Sequence, residues 1–95
     1  MAAYIIANID LKDAEAYKPY QAGVPAIIRK HGGEYLVRGG PLEVMEGSWP
    51  DMRIVVLKFP DRAAAKAFLD DPEYQPFKAI RHRVAQTDLL IVDGV

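Results

Sequence analysis

Met52-Arg-Ile-Val-Val-Leu-Lys-Phe59 decides the fold. It is β-branched and apolar on both alternating faces: Ile54 and Val56 fall on one side, Val55, Leu57 and Phe59 on the other. Such a run reads as a strand wanting cover on both faces. Upstream, Gly47-Ser-Trp-Pro-Asp51 is a turn-forming loop. Before it, Leu42-Glu-Val-Met-Glu46 has an extended pattern, separated by Gly39-Gly-Pro41 from the strand Glu34-Tyr-Leu-Val-Arg38. Glycine at this point marks a bulge or bend.

Further outward lie two helices and two more strands. Asp10 and Asp13 offer N-cap carboxylates to a helix whose stripe is Tyr17, Tyr20, Val24, Ile27, Ile28 and His31, at steps of three and four. Pro19 and Pro25 interrupt that helix, Pro25 with an expected kink, and Gly32-Gly33 closes it. On the other side, Asp61 caps Arg62-Ala-Ala-Ala-Lys-Ala-Phe-Leu69. Asp71 with Pro72 at the first helical position signals another start, with Tyr74, Phe77, Ile80, Arg81 and Val84 along one side. The apolar segments Ala3–Ile9 and Thr87–Asp93 read as buried first and last strands.

The order βα, broken β-hairpin, αβ is the split βαβ pair of an α+β, ferredoxin-like βαββαβ fold, with helices on one face of an antiparallel sheet. Both faces of the strand around Val55 are apolar, and Leu89-Leu-Ile-Val92 repeats the pattern, yet the two helical regions can cover only one sheet face. A second copy laid face to face would bury the other, so a homodimer closing an α/β barrel is expected.

Composition narrows the classes. Ninety-five residues make one domain, 1–95. The 51% hydrophobic content excludes a disordered chain, and the formal net charge of −1 gives no attraction to phosphate backbones or anionic lipid. Neither nucleic acid nor membrane is expected as a partner. The same element order serves RNA-binding domains, but those present stacking aromatics on the central strands, and Met52–Leu57 carries none. The absence of cysteine removes disulfides, thiolate nucleophiles and Cys-held metals. The N-terminal residues lack a basic n-region and no apolar run nears ~20 residues, so a cytosolic protein is expected.

Several stretches in order carry a resemblance: Ala16-Tyr17 and Tyr20, His31-Gly-Gly33, Tyr35-Leu-Val-Arg-Gly-Gly40, Glu46-Gly-Ser-Trp49, Val55-Val-Leu-Lys-Phe-Pro60, Ala67-Phe68, Pro72-Glu-Tyr-Gln75, Arg81 and Val92-Asp-Gly94. Together they resemble a widespread family of short bacterial proteins of unknown function within the dimeric α/β-barrel superfamily, nearly end to end. The resemblance implies the fold and the dimer but no activity. Superfamily relatives include cofactor-independent monooxygenases, lactone isomerases, haem-handling proteins and stress-responsive dimers. Their catalytic residues map onto no motif here, and an activity taken from fold alone is analogy.

No motif fixes a reaction: there is no phosphate loop and no nucleophile elbow. The candidates are polar residues beside apolar elements. His31 reads either as an imidazole capping a helix end or as a general base. If the loop at 47–51 closes a hairpin, Glu46 stands opposite Arg53, as a rim ion pair or as a base beside an arginine that stabilises negative charge. Arg38 would act likewise at the barrel mouth. Asn8, inside the first strand, needs a partner that a ligand or water would supply. Tyr35, Tyr74 and Arg81 complete the substrate-binding set, although tyrosines in such a pattern are more often amphipathic packing residues than proton donors. Trp49 reads as a seal at a subunit edge. His31 and His82 alone make a poor metal set, so no metal or cofactor is expected.

Two functions compete. One is a small-molecule-binding dimer, a cofactor-independent enzyme of monooxygenase or isomerase type acting on a carbonyl- or carboxylate-bearing compound, with His31, Glu46 and Arg53 as catalytic residues. The other is a non-catalytic, ligand-sensing or stress-related dimer. They differ in whether the barrel holds a cavity.

Overall fold

A computed structural model of the chain describes residues 1–49 and 53–95. The elements run β1 (Ala3–Leu11), α1 (Ala14–Lys30), β2 (Glu34–Arg38), β3 (Arg53–Phe59), α2 (Arg62–Asp70), α3 (Gln75–Val84) and β4 (Ala85–Asp93). The four strands form one antiparallel sheet in the order β2-β3-β1-β4. Two interleaved βαβ units result, which is the ferredoxin-like arrangement.

Alternation along the strands divides the sheet. Ala3, Ile5, Ala7 and Ile9 of β1 and Val55, Leu57 and Phe59 of β3 are buried beneath the helices. Val24, Ile27 and Ile28 of α1 and Ala65 and Phe68 of α2 meet them in one core. The opposite face carries Ile6, Val37, Leu90 and Val92, all exposed, with Ile54 and Val56 half-buried. Within the single chain β4 is largely exposed. Its even-numbered residues lie on the uncovered face, paired with Tyr4, Ile6, Asn8 and Asp10 of β1.

The helix ends follow the capping signals. The Asp13 side chain accepts from Ala16 N at 3.1 Å, and that of Asp61 from Ala64 N at 2.8 Å. At the far end of α1, Gly32 N donates to Arg29 O and Gly33 N to Ile28 O, both at 2.9 Å. With Gly32 at φ +78, this is a Schellman close. α1 runs unbroken through Pro19 and Pro25.

Two segments differ from expectation. Asp71 does not open a helix at Pro72. Its carboxylate accepts from Glu73 N at 2.8 Å, Tyr74 N donates to Asp71 O at 2.9 Å, and α3 begins at Gln75. That tight turn brings Tyr74 into the core, 1% exposed. Likewise Leu42–Glu46 is not a strand. The register shift in β2 lies between Tyr35 and Val37, and Gly39, at φ +68, donates its N–H to Ile54 O at 2.8 Å where β2 ends. Beyond it the chain leaves the sheet as an arm with Leu42, Val44, Met45 and Trp49 exposed. The closing of the expected hairpin at 50–52 lies outside the described residues.

A candidate ligand cleft under the helices

Between the helix layer and the sheet lies a cleft walled by Ile5, Ile9, Ile28, Leu57 and Phe68. The cleft has a volume of about 40 Å3 and opens to solvent. Into these apolar walls come three arginines, Arg38, Arg53 and Arg81, and four tyrosines, Tyr17, Tyr20, Tyr35 and Tyr74. Among the described residues lining it there is no aspartate, glutamate or histidine.

Strand parity puts Arg53 and Arg38 here. Arg53 precedes the buried series Val55, Leu57, Phe59 by one pleat, and Arg38 pairs with Val55. The Arg53 side chain lies over Gly39, so closely that a Cβ there would sit 2.5 Å from its guanidinium carbon. Arg38 reaches across the mouth: its Nη2 donates to Gln21 O on α1 at 2.9 Å, and its guanidinium lies 4.6 Å from the centre of the Tyr35 ring. That contact is a cation–π pair.

Deeper in, the aromatics form a chain. Tyr17 stacks on Tyr20 with centroids 4.8 Å apart, Tyr20 meets Tyr74 edge-on at 6.0 Å, and Tyr74 lies 4.4 Å from Phe68. The Tyr20 and Tyr74 hydroxyls share a hydrogen bond at 2.7 Å. Burial pushes the Tyr17 phenol up to about 12, and burial together with Tyr74 raises that of Tyr20 further. Burial raises Tyr35 as well. At neutral pH these three phenols are uncharged hydrogen-bond donors. Arg81, on the buried side of α3, is 5% exposed. Burial opposes its charge, but the phenols of Tyr74 and Tyr20 outweigh that and raise its pKa.

The residues singled out in the sequence thus separate into two groups. Tyr35, Arg38, Arg53, Tyr74 and Arg81 meet at the cleft, while His31, Glu46 and Asn8 do not. His31 Nε2 lies 2.6 Å from the Asp71 carboxylate, which also accepts from Lys30 Nζ at 2.9 Å. The imidazole pins the end of α1 to the α2–α3 turn. Glu46 sits on the arm, around a second groove of Leu42, Val44, Met45, Trp49 and Ile54. It is not opposite Arg53, because Arg53 pairs with Ile9 and its side chain lies on the helix face, whereas Ile54 lies on the other. Among the described residues no ion pair joins them. Asn8 projects from the uncovered sheet face, and its Oδ1 is buried without a partner.

The cleft also lies where the sequence did not place it. The sequence left open whether a barrel closed by two sheets holds a cavity; within the single chain a cleft lies between sheet and helices. Tyr17, Tyr20 and Gln21 belong to it and were not singled out as site residues. Their signal was present: tyrosines recurring at helical spacing among aliphatics place hydroxyls on a buried face.

Solved structures share this fold. A protein of unknown function from Rhodopseudomonas palustris superposes with a TM-score of 0.80 at 18% identity, covering 99% of this chain and 82% of that one. SnoaB, a cofactor-independent oxygenase from Streptomyces nogalater, gives 0.67 at 11% identity, with 99% and 93% covered. A dimeric ferredoxin-like protein of unknown function from Jannaschia sp. CCS1 gives 0.67 at 14%, with 99% and 100% covered. No curated protein matches the sequence. Over residues 2–95 the sequence matches a described family, and the chain belongs to it: DUF1330, a domain of unknown function.

Proposed function

We propose that this protein binds a small organic compound carrying a carbonyl or carboxylate group in the cleft under its helices, and works as a homodimer joined through the uncovered sheet face. The observation that carries the first part is the convergence of Arg38, Arg53 and Arg81 on an apolar cleft whose described lining holds no acid. Arginines near apolar surface need an anionic or strongly polar partner. The second part is supported by the apolar uncovered face, with Ile6, Leu90 and Val92 exposed on it. The exposed arm beside that face, which carries Met45 and Trp49, extends the surface offered to a partner. The ferredoxin-like neighbour from Jannaschia is itself dimeric.

The chemistry such a cleft offers is electrostatic. Guanidinium groups stabilise negative charge developing on a carbonyl oxygen, and uncharged phenols donate hydrogen bonds to it. SnoaB, a cofactor-independent oxygenase, shares this fold at 11% identity, a likeness of fold and not of reaction. A ligand-sensing dimer without catalysis is favoured by one observation: among the described residues no histidine or carboxylate lines the cleft as a base.

The experiment is a fragment screen by ligand-observed NMR, comparing wild type with Arg53→Ala and following the dimer by size exclusion. The expected outcome is binding of carbonyl- or carboxylate-bearing fragments that weakens about tenfold or more in Arg53→Ala while the dimer persists. Binding unchanged with the dimer lost would make Arg53 an interface residue and remove it from the site.

A further inference from the structure

Arg81 is the one cleft arginine sealed from solvent. Its Nε is buried with no hydrogen-bond partner, and no described carboxylate lies within ion-pair distance of its guanidinium. A buried charge without a counter-ion is costly, and native proteins rarely keep one without use. The titratable groups that share the cleft with it are phenols and other arginines. α1 contributes Tyr17 and Tyr20, the turn before α3 contributes Tyr74, and the sheet contributes Tyr35, Arg38 and Arg53. The buried acid among the described residues, Asp71, is engaged by His31 and Lys30. Nothing described around Arg81 carries negative charge.

We propose that Arg81, with the hydroxyls of Tyr20 and Tyr74, forms a carboxylate subsite at the inner end of the cleft, so that the ligand is a small apolar monocarboxylate entering acid-first. This rests on the reading that the cleft binds a small molecule. The donors suit the group. A guanidinium presents Nε–H and one Nη–H side by side, the spacing of two carboxylate oxygens. In the Tyr20–Tyr74 pair one hydroxyl donates to the other, which leaves the acceptor's own proton free for the ligand. The cleft as a whole measures about 40 Å3, room for a few water-sized atoms, so a bound ligand takes up the open mouth as well. The rest of the molecule would lie along Ile5, Ile9 and Leu57 toward Leu89 and the mouth.

The test uses benzoate and its uncharged counterpart benzamide, titrated into the wild-type protein while the arginine Nε–H resonances are followed by NMR. The expected result is a saturable shift of the Arg81 Nε–H with benzoate, absent with benzamide and with sodium chloride at the same concentration. In Arg81→Met the benzoate affinity should fall about tenfold or more, and the ligand-free protein should melt at a higher temperature, since an unpaired buried charge has gone. A structural role for Arg81 would do the opposite, lowering the melting temperature with benzoate still bound. Benzoate and benzamide binding alike in the cleft, or chloride moving Arg81 as benzoate does, would overturn the carboxylate subsite and leave the cleft as a binding site. If neither compound perturbs a cleft residue, the binding reading fails with it. Should Arg81→Met not fold, the wild-type titration decides alone.

Discussion

At the end of α1 the Asp71 carboxylate accepts from His31, from Lys30 and from the Glu73 backbone, and these bonds, in that order of weight, hold its carboxyl well below the ordinary range. The unfolded carboxyl titrates near ~3.9. Asp71 therefore contributes its full stabilisation above that value and loses it as pH falls toward the depressed folded one. Thermal melts between about pH 6 and 3 should show the wild-type midpoint falling more steeply than that of Asp71→Asn, in which this linkage is absent. His31 was legible as a residue of the α1 end but not as half of a pair, because its partner lies 40 positions away. A few residues on, Gly33 packs so tightly that a Cβ would fall 2.6 Å from the Phe59 ring and 2.8 Å from Ile28. Gly33→Ala should destabilise by about 1–3 kcal/mol in denaturant melts, as overpacking of a core does.

Among the elements, β3 was legible because its β-branched residues fill both faces, and α1 because cap, stripe and paired glycines agree. The Leu42–Glu46 segment misled because alternation of apolar and polar residues reads as a strand whether or not a partner strand exists in the chain. Here β2 ends at Gly39, whose N–H closes the ladder on Ile54. That residue joins element to site, since its φ of +68 needs glycine and its bare Cα leaves the space the Arg53 side chain fills. Gly39→Ala should cost about 1–2 kcal/mol through the left-handed backbone alone. Because it also pushes Arg53 aside, it should weaken fragment binding more than an equally destabilising core substitution; equal weakening in both would show that Arg53's position is unimportant. The start of α3 was misplaced for a local reason: Asp71 and Pro72 look like a helix start, but the Asp71 carboxylate is committed to α1 and closes a turn instead.

For the whole molecule, the sheet has two faces with two tasks. The apolar pattern of both was legible, and with it the need for cover; the location of the cleft was not. Which face holds polar side chains among aliphatics depends on how β2 and β3 register and where α3 lays Tyr74 and Arg81, and these are long-range facts. Leu90, exposed on the uncovered face, lies where a second copy would cover it. Native mass spectrometry should find a dimer for wild type and a monomer for Leu90→Asp, with the far-ultraviolet circular dichroism of both alike; a monomeric wild type would leave the uncovered face without its proposed partner. The separation of tasks is tested most directly by mapping backbone amide shifts while benzoate is titrated into the wild-type protein. Shifts at Tyr17, Tyr20, Tyr35, Arg53 and Arg81, with Ile6, Asn8, Val56 and Leu90 silent, are the expected result. Shifts running along the second set, with the first silent, would place the ligand on the uncovered face and contradict the assignment of the cleft.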